Sequence, residues 1–188
     1  MAERAPVGRM TFDQFVDWAA AQERGRFELL DGEIHAMSPE RVSHNETKQL
    51  AWLALREAIR SRGLPCKAYG DGLTMKIDEA TSFEPDALVR CGDPVDPEAT
   101  TVPDPLIVVE VISPGSRSID TNTKLHAYLS LPSVVHYLVL EPERRALIHY
   151  RRGPDDAPTV RIWHDGSLVL DPPGIELDVA SCFPDAAS

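Results

Sequence analysis

No apolar run in this chain approaches the roughly 18 residues that a membrane-spanning helix needs. The opening stretch, Met1 to Met10, lacks the apolar core of a secretory signal, so a cytoplasmic protein is the expectation. No Cys-x-x-Cys pair occurs, which leaves a zinc knuckle without its ligands. The three cysteines, Cys66, Cys91 and Cys182, are scattered and odd in number. They read as ordinary buried or half-buried thiols, not as a disulfide framework. His35, His126, His136, His149 and His164 show neither His-x-His nor His-x-x-x-His spacing, which argues against a histidine-built zinc site. Glycine-rich phosphate loops are missing, so nucleotide-cofactor binding has no support. No Gly-x-Ser-x-Gly elbow is present, and Ser113 has no evident base, which leaves a serine hydrolase as a weak alternative. Basic charge is short as well: 19 Lys and Arg stand against 30 Asp and Glu, for a net charge of −11. That balance counts against a broad nucleic-acid footprint, which is usually basic. A local basic groove can still coexist with an acidic remainder. Arg144, Arg145, Arg151, Arg152 and Arg161 do cluster late in the chain, where their plain reading is solvated hairpin positions.

What is present suits one soluble domain over residues 1–188, with 43% hydrophobic and 26% charged residues. Thr11 to Ala21 reads as a short helix, opened by a Thr11–Gln14 capping box. Phe27 to Met37 reads as a hairpin around Asp31-Gly32, a strong two-residue turn signal. Ser43 to Arg62 reads as a helix, with Ser43-x-x-Glu46 as its capping box and Gly63 as its stop. Its apolar stripe is expected from Leu50, Leu53, Ala54 and Ile59. Two short strands are expected between Pro65 and Lys76, and a further strand from Phe83 to Val89, entered through Pro85. Cys91 to Pro105, rich in Pro, Asp and Glu, reads as a surface loop. Leu106 to Ile112 is nearly all apolar, the pattern of a central strand buried on both faces. Arg117 to Leu129 reads as the next helix, Val134 to Leu140 as a buried strand, and later short strands follow. The order predicts an α/β or α+β fold with a mixed sheet flanked by helices.

Glu110 is the residue hardest to explain as filler. It interrupts the most apolar strand, and charged side chains are rarely buried unless paired or bound to metal. Asp86 enters a strand-like run one strand earlier. Asp120, Lys124 and Tyr128 are spaced by four and share one helical face. An Asp–Lys pair at that spacing is on its own an ordinary surface ion pair, worth about 0.2–0.5 kcal/mol. Its place directly after the Glu110 strand gives it weight. His44 opens the long helix, and Glu28 is the better placed of two acids flanking the Asp31-Gly32 turn. Two acids at adjacent strand ends can hold a hard divalent cation. A nearby ammonium can orient an attacking water and stabilise negative charge, as metal-assisted phosphodiester hydrolysis requires.

Phe27-Glu-Leu-Leu-Asp-Gly-Glu33, His44, Glu84-Pro-Asp86-Ala-Leu-Val89 and Val108-Val-Glu110-Val-Ile-Ser-Pro-Gly-Ser116 together resemble the Uma-two family. So does Asp120-x-x-x-Lys124-x-x-x-Tyr128 followed by Val134 to Leu140. These are restriction-endonuclease-like proteins of the PD-(D/E)XK nuclease superfamily. The resemblance covers roughly Thr11 to Tyr150. It implies the restriction-endonuclease core, a mixed central β-sheet with helices on both sides. It also implies Asp86 and Glu110 as the motif acids, holding Mg²⁺ or Mn²⁺ with help from a backbone carbonyl near Val111. The superfamily pattern places a lysine two residues after the second acid, where this chain has Ile112. The family's lysine lies on the following helix, which Lys124 matches.

The catalytic set expected is therefore Asp86, Glu110 and Lys124, with Asp86 and Glu110 as metal ligands. Glu28, His44, Asp120 and Tyr128 are the supporting residues. The expected function is metal-dependent hydrolysis of nucleic acid, with DNA as the expected substrate, no membrane association, and a homodimer as one arrangement open to it. Two alternatives stay open: a catalytically inactive nuclease-fold module for binding or assembly, which the acidic net charge favours, and a hydrolase of small phosphoesters.

Overall fold

The computed structural model of the chain describes residues 8–112, 120–154 and 157–185. Helix α1 (Phe12–Ala20) opens the described chain, and its Thr11–Gln14 capping box is formed in both directions. Strands β1 (Phe27–Leu30) and β2 (Glu33–Ala36) make the expected antiparallel hairpin. Asp31 and Gly32 both take positive φ, at 51° and 81°, as a tight hairpin turn demands.

Helix α2 (Val42–Arg62) starts at Val42, with Arg41 at its N-cap and no side-chain cap. The expected Ser43 capping box is thus not used. Ser43 sits inside the first turn, and its carbonyl accepts from the Thr47 hydroxyl at 2.9 Å. The helix stops at Gly63, left-handed at φ 62°. The buried stripe also differs from the expected one. It consists of Thr47, Lys48, Ala51, Leu55, Ala58 and Ile59, whereas Leu53 is 50% exposed. A lysine on the inner face makes the pattern read one step out of phase.

Strands β3 (Cys66–Gly70), β4 (Met75–Lys76), β5 (Ser82–Phe83) and β6 (Ala87–Cys91) follow. The strand expected from Phe83 to Val89 is in fact two strands. The chain leaves one sheet and enters another at Glu84-Pro85-Asp86, where proline has no N–H to continue a ladder. Cys66 and Cys91 face each other in the β3–β6 register and form a disulfide, which corrects the reading of three free thiols; only Cys182 is free. Directly opposite residues of antiparallel strands are near neighbours, a pairing that cysteine count alone does not reveal.

Strand β7 (Ile107–Val111) has all five residues buried. Helix α3, described from Asp120 to Ser130, leads to β8 (His136–Glu141), which pairs parallel to β7. Residues 113–119, including the expected start of that helix, lie outside the described residues. Strands β9 (Ala146–Arg151) and β10 (Thr159–Trp163) extend the sheet antiparallel. The result is a six-stranded mixed sheet in the order β10-β9-β8-β7-β6-β3. A four-stranded sheet, β2-β1-β5-β4, stands beside it. Strands β11 (Ser167–Leu170) and β12 (Ile175–Asp178) form a separate hairpin.

Two cores sandwich the six-stranded sheet. On one face Ala51, Leu55 and Ile59 of α2 and Leu168, Leu170 and Leu177 of the last hairpin pack on Val89, Val109 and Leu138. On the other, Tyr128 of α3 packs with Val108, Tyr137, Val139 and Phe83. This is the predicted mixed sheet flanked by helices. Of the arginine cluster, Arg144, Arg151 and Arg161 are exposed as expected, while Arg145 and Arg152 are half-buried. Arg152 donates to the carbonyls of Leu129, Leu131 and Val134, joining the end of α3 to the start of β8. No helix among the described residues is long and apolar enough to cross a membrane.

Candidate functional site

Glu110 is the penultimate residue of β7 and is 7% exposed. Two donors from α3 reach it. Lys124 Nζ lies 3.1 Å away and the Tyr128 hydroxyl 2.5 Å away. The four-residue spacing places both on the helix face that covers β7. Both bonds fall on Oε1 of Glu110, and Oε2 has no hydrogen bond among the described residues. Lys124 also donates to Glu28 Oε1 of β1 at 2.9 Å and sits 5.2 Å from the Phe83 ring centroid. Burial pushes the Glu110 carboxyl up to about 8; the Lys124 charge opposes this, and the charges of Asp86 and Glu28 add to it. Burial, with the charge of Glu110 behind it, raises Tyr128 well above the ordinary phenol value and keeps it a donor.

Asp86 lies one residue before β6. Its N–H donates to the Val109 carbonyl at 3.0 Å, and its Oδ2 accepts from the Val111 N–H at 2.6 Å. The register pairs Ala87 with Val109, so one step further sets Asp86 beside Glu110 at the end of the β6–β7 ladder. His44 Nε2, from the first turn of α2, is 3.5 Å from Asp86 Oδ2. Lys48 Nζ, one turn on, is 3.2 Å from Asp86 Oδ1. Burial works to raise the Asp86 pKa, but the His44 hydrogen bond, the Lys48 charge and the Val111 N–H outweigh it and hold the carboxyl below its usual value.

Glu28, His44, Asp86, Glu110 and Lys124 all line one cavity of about 310 Å³, with Arg41 at its edge. The structure therefore brings together five of the seven residues singled out in the sequence. Tyr128 is fully buried behind Glu110 and does not line the cavity. The side chain of Asp120 lies outside the described residues. Ile112, at the superfamily's usual lysine position, is buried, while Lys124 supplies the ammonium at Glu110.

A second group escaped the sequence reading. Lys48 is 3% exposed and also donates to Glu40 Oε1 and Asp71 Oδ2, each at 2.6 Å. Arg26 Nη1 reaches the same two oxygens at 3.0 Å, and its Nε reaches Glu84 Oε2 at 2.8 Å. Burial alone would lower the Lys48 pKa, but Asp86, Asp71 and Glu40 raise it, so it stays an ammonium. The available signal was the His44–Lys48 spacing, which sets both on one helical face.

Among the described residues, Glu28, Glu40, Asp71, Glu84, Asp86 and Glu110 thus share three fixed cations, Arg26, Lys48 and Lys124. The excess of hard oxygen donors over cations fits a hard divalent cation. Glu40, His44 and Asp86 also offer ligand atoms within 4.8 Å of one another.

Fold and site together define a mixed-sheet α+β protein with an acidic, lysine-bearing pocket at the carboxyl end of its central strand. The chain matches the Uma2 family, described as "Putative restriction endonuclease", over residues 12–180, and belongs to that family. It is 27% identical over 153 residues to "Uncharacterized protein slr1290" of Synechocystis sp., covering 80% of this chain and 78% of that one. Its fold is similar to the crystal structure of "a putative nuclease belonging to DUF820" from Anabaena variabilis. The TM-score is 0.71 at 18% identity, with 95% of this chain and 98% of that chain covered.

Proposed function

We propose that this chain is a metal-dependent endonuclease that hydrolyses DNA phosphodiester bonds, acting as one domain over its length. The convergence of Asp86, Glu110 and Lys124 on one pocket carries the reading. Membership of a family described as "Putative restriction endonuclease" supports it.

Asp86 and Glu110 would hold Mg²⁺ or Mn²⁺, with Glu110 Oε2 as the ligand atom still open on the buried strand. The bound ion would polarise a phosphoryl oxygen and lower the pKa of the attacking water. Lys124 places a positive charge at the pocket wall, where it stabilises negative charge developing on the phosphate. Glu28 shares the Lys124 ammonium and limits its swing. Tyr128 fixes the Glu110 carboxylate from behind. His44 steadies Asp86 from α2 and faces the pocket, within reach of a phosphate oxygen. With a net charge of −11, the chain must meet DNA through local cations such as Arg41 and Lys124.

The test is cleavage of supercoiled and single-stranded DNA in Mg²⁺ or Mn²⁺, with Asp86→Ala and Lys124→Ala beside the wild type. Metal-dependent cutting that is lost in both variants is the expected result. Metal binding that depends on Asp86, without cutting of either DNA, would move the substrate to another phosphoester. An absence of metal binding would favour the inactive binding module, which the acidic surface suits.

A further inference from the structure

Lys48 stands where a second divalent cation would otherwise find ligands. Glu40, His44 and Asp86 form the cluster whose ligand atoms lie within 4.8 Å of one another. The Lys48 ammonium is already bound to two of these three, at 2.6 Å from Glu40 and 3.2 Å from Asp86. Arg26 adds a second positive charge at the same Glu40 oxygen, at 3.0 Å. A dication placed there would face two fixed cations a few ångströms away, in a site where burial weakens screening. The Glu110 side differs. Lys124 and Tyr128 both occupy Oε1 and leave Oε2 unbonded among the described residues, so that acid keeps a ligand atom for a metal.

Lys48 is also tied down as a permanent feature. It is 3% exposed on the inner face of α2, and Asp71, at the end of β3, holds its third bond at 2.6 Å. Glu40 comes from the segment before α2, Asp71 from the end of β3 and Asp86 from the start of β6. One ammonium therefore joins the three segments that frame this side of the pocket.

From this we infer that Lys48 is a built-in substitute for a second metal ion, and that the site takes a single divalent cation, at Asp86 and Glu110. The inference rests on the metal-dependent reading above. Lys48 is a positioning residue: it holds Asp86 and neutralises Glu40, while Glu110 is served by Lys124. Two-metal phosphodiesterases place their ions about 3.5–4 Å apart to clamp both sides of the phosphate. Here a fixed ammonium supplies positive charge on one side without needing to be loaded from solution.

The experiment is Mn²⁺ titration of the full chain followed by electron paramagnetic resonance and calorimetry, with no nucleic acid present. The wild type is expected to bind one Mn²⁺. Lys48→Met is expected to bind two, with a spin-coupled spectrum, and Lys48→Met combined with Glu40→Gln is expected to return to one. Two ions in the wild type, or one in a folded Lys48→Met, would overturn the inference while leaving the Asp86–Glu110 site intact. No Mn²⁺ in the wild type would overturn the metal-dependent reading itself. Should Lys48→Met fail to fold, Glu40→Gln alone decides. Its single Mn²⁺ should bind within about tenfold of the wild type, because Glu40 reaches solvent, at 22% exposure, and is not a ligand. A loss of more than about tenfold would show Glu40 to be a ligand and end the proposal.

Discussion

Glu110 sits between opposing demands. Burial favours its neutral form, while Lys124 and Tyr128 favour the charged one. Removing either partner should therefore be felt in stability as well as in activity. Tyr128→Phe deletes one buried hydrogen bond and should cost about 1–3 kcal/mol in urea unfolding without metal. Lys124→Met leaves Glu110 and Glu28 without their ammonium and should cost about 1–3 kcal/mol on the same scale, because the buried Glu110 carboxyl can take a proton instead of standing as an unpaired charge. Saturating Mn²⁺ should recover part of that second loss, because the ion replaces the missing charge; equal losses with and without Mn²⁺ would count against a metal at Glu110. Glu110 was legible because a carboxylate in the most apolar strand must find a cation or reach water, and either need marks a site. Lys48 was not, because its partners Glu40, Asp71 and Asp86 are far apart in sequence and only the fold collects them. A lysine on a helix reads as solvated until its carboxylates are in place.

Local signals that need no distant partner were the readable ones among the elements. The Thr11 cap is such a signal, and Thr11→Ala should lower stability by about 1 kcal/mol in chemical denaturation. The β1–β2 turn is another. A Cβ added at Gly32, with φ at 81°, would come within 2.8 Å of Arg9 Cβ, and Gly32→Ala should destabilise by about 1–3 kcal/mol. A melting temperature unchanged by Gly32→Ala would show that the turn relaxes freely. Central strand β7 was readable from its apolar run. The break between β5 and β6 was not, although Pro85 marks it, because the reason for it is a change of sheet. Helix α2 is legible to within one residue, but its cap is not: the helix begins at Val42 with Arg41 at the N-cap, so Ser43 falls inside the first turn.

At the scale of the whole molecule, a buried histidine pair links the large sheet to the last hairpin. His136 Nδ1 of β8 and His149 Nε2 of β9 are 2.9 Å apart, and His136 Nε2 is 2.9 Å from the Pro172 carbonyl before β12. Burial lowers both to about 4 from 6.5, with the Arg151 charge also opposing protonation of each. A depressed histidine favours folding above its unfolded value, and that share of stability is lost as pH falls through the window from 6.5 toward 4. Thermal melts at about pH 7.5 and about pH 5 should show a clear drop, and His149→Phe should show a smaller one. A drop of the same size in both proteins would place the acid sensitivity elsewhere.

The two margins of the large sheet are unlike. Strand β3 is half-buried, carries Lys67 outward and is joined to β6 by the Cys66–Cys91 bond. Strand β10 is exposed along nearly its whole length, with Val160 at 55% and Ile162 at 60% exposure. Lysine discourages strand addition, whereas an uncovered apolar edge invites it. A sheet with one receptive margin behaves like a monomer of functionality one in polymer chemistry. Were two copies to join through β10, that margin would be consumed on both, so association by this route would stop at a pair.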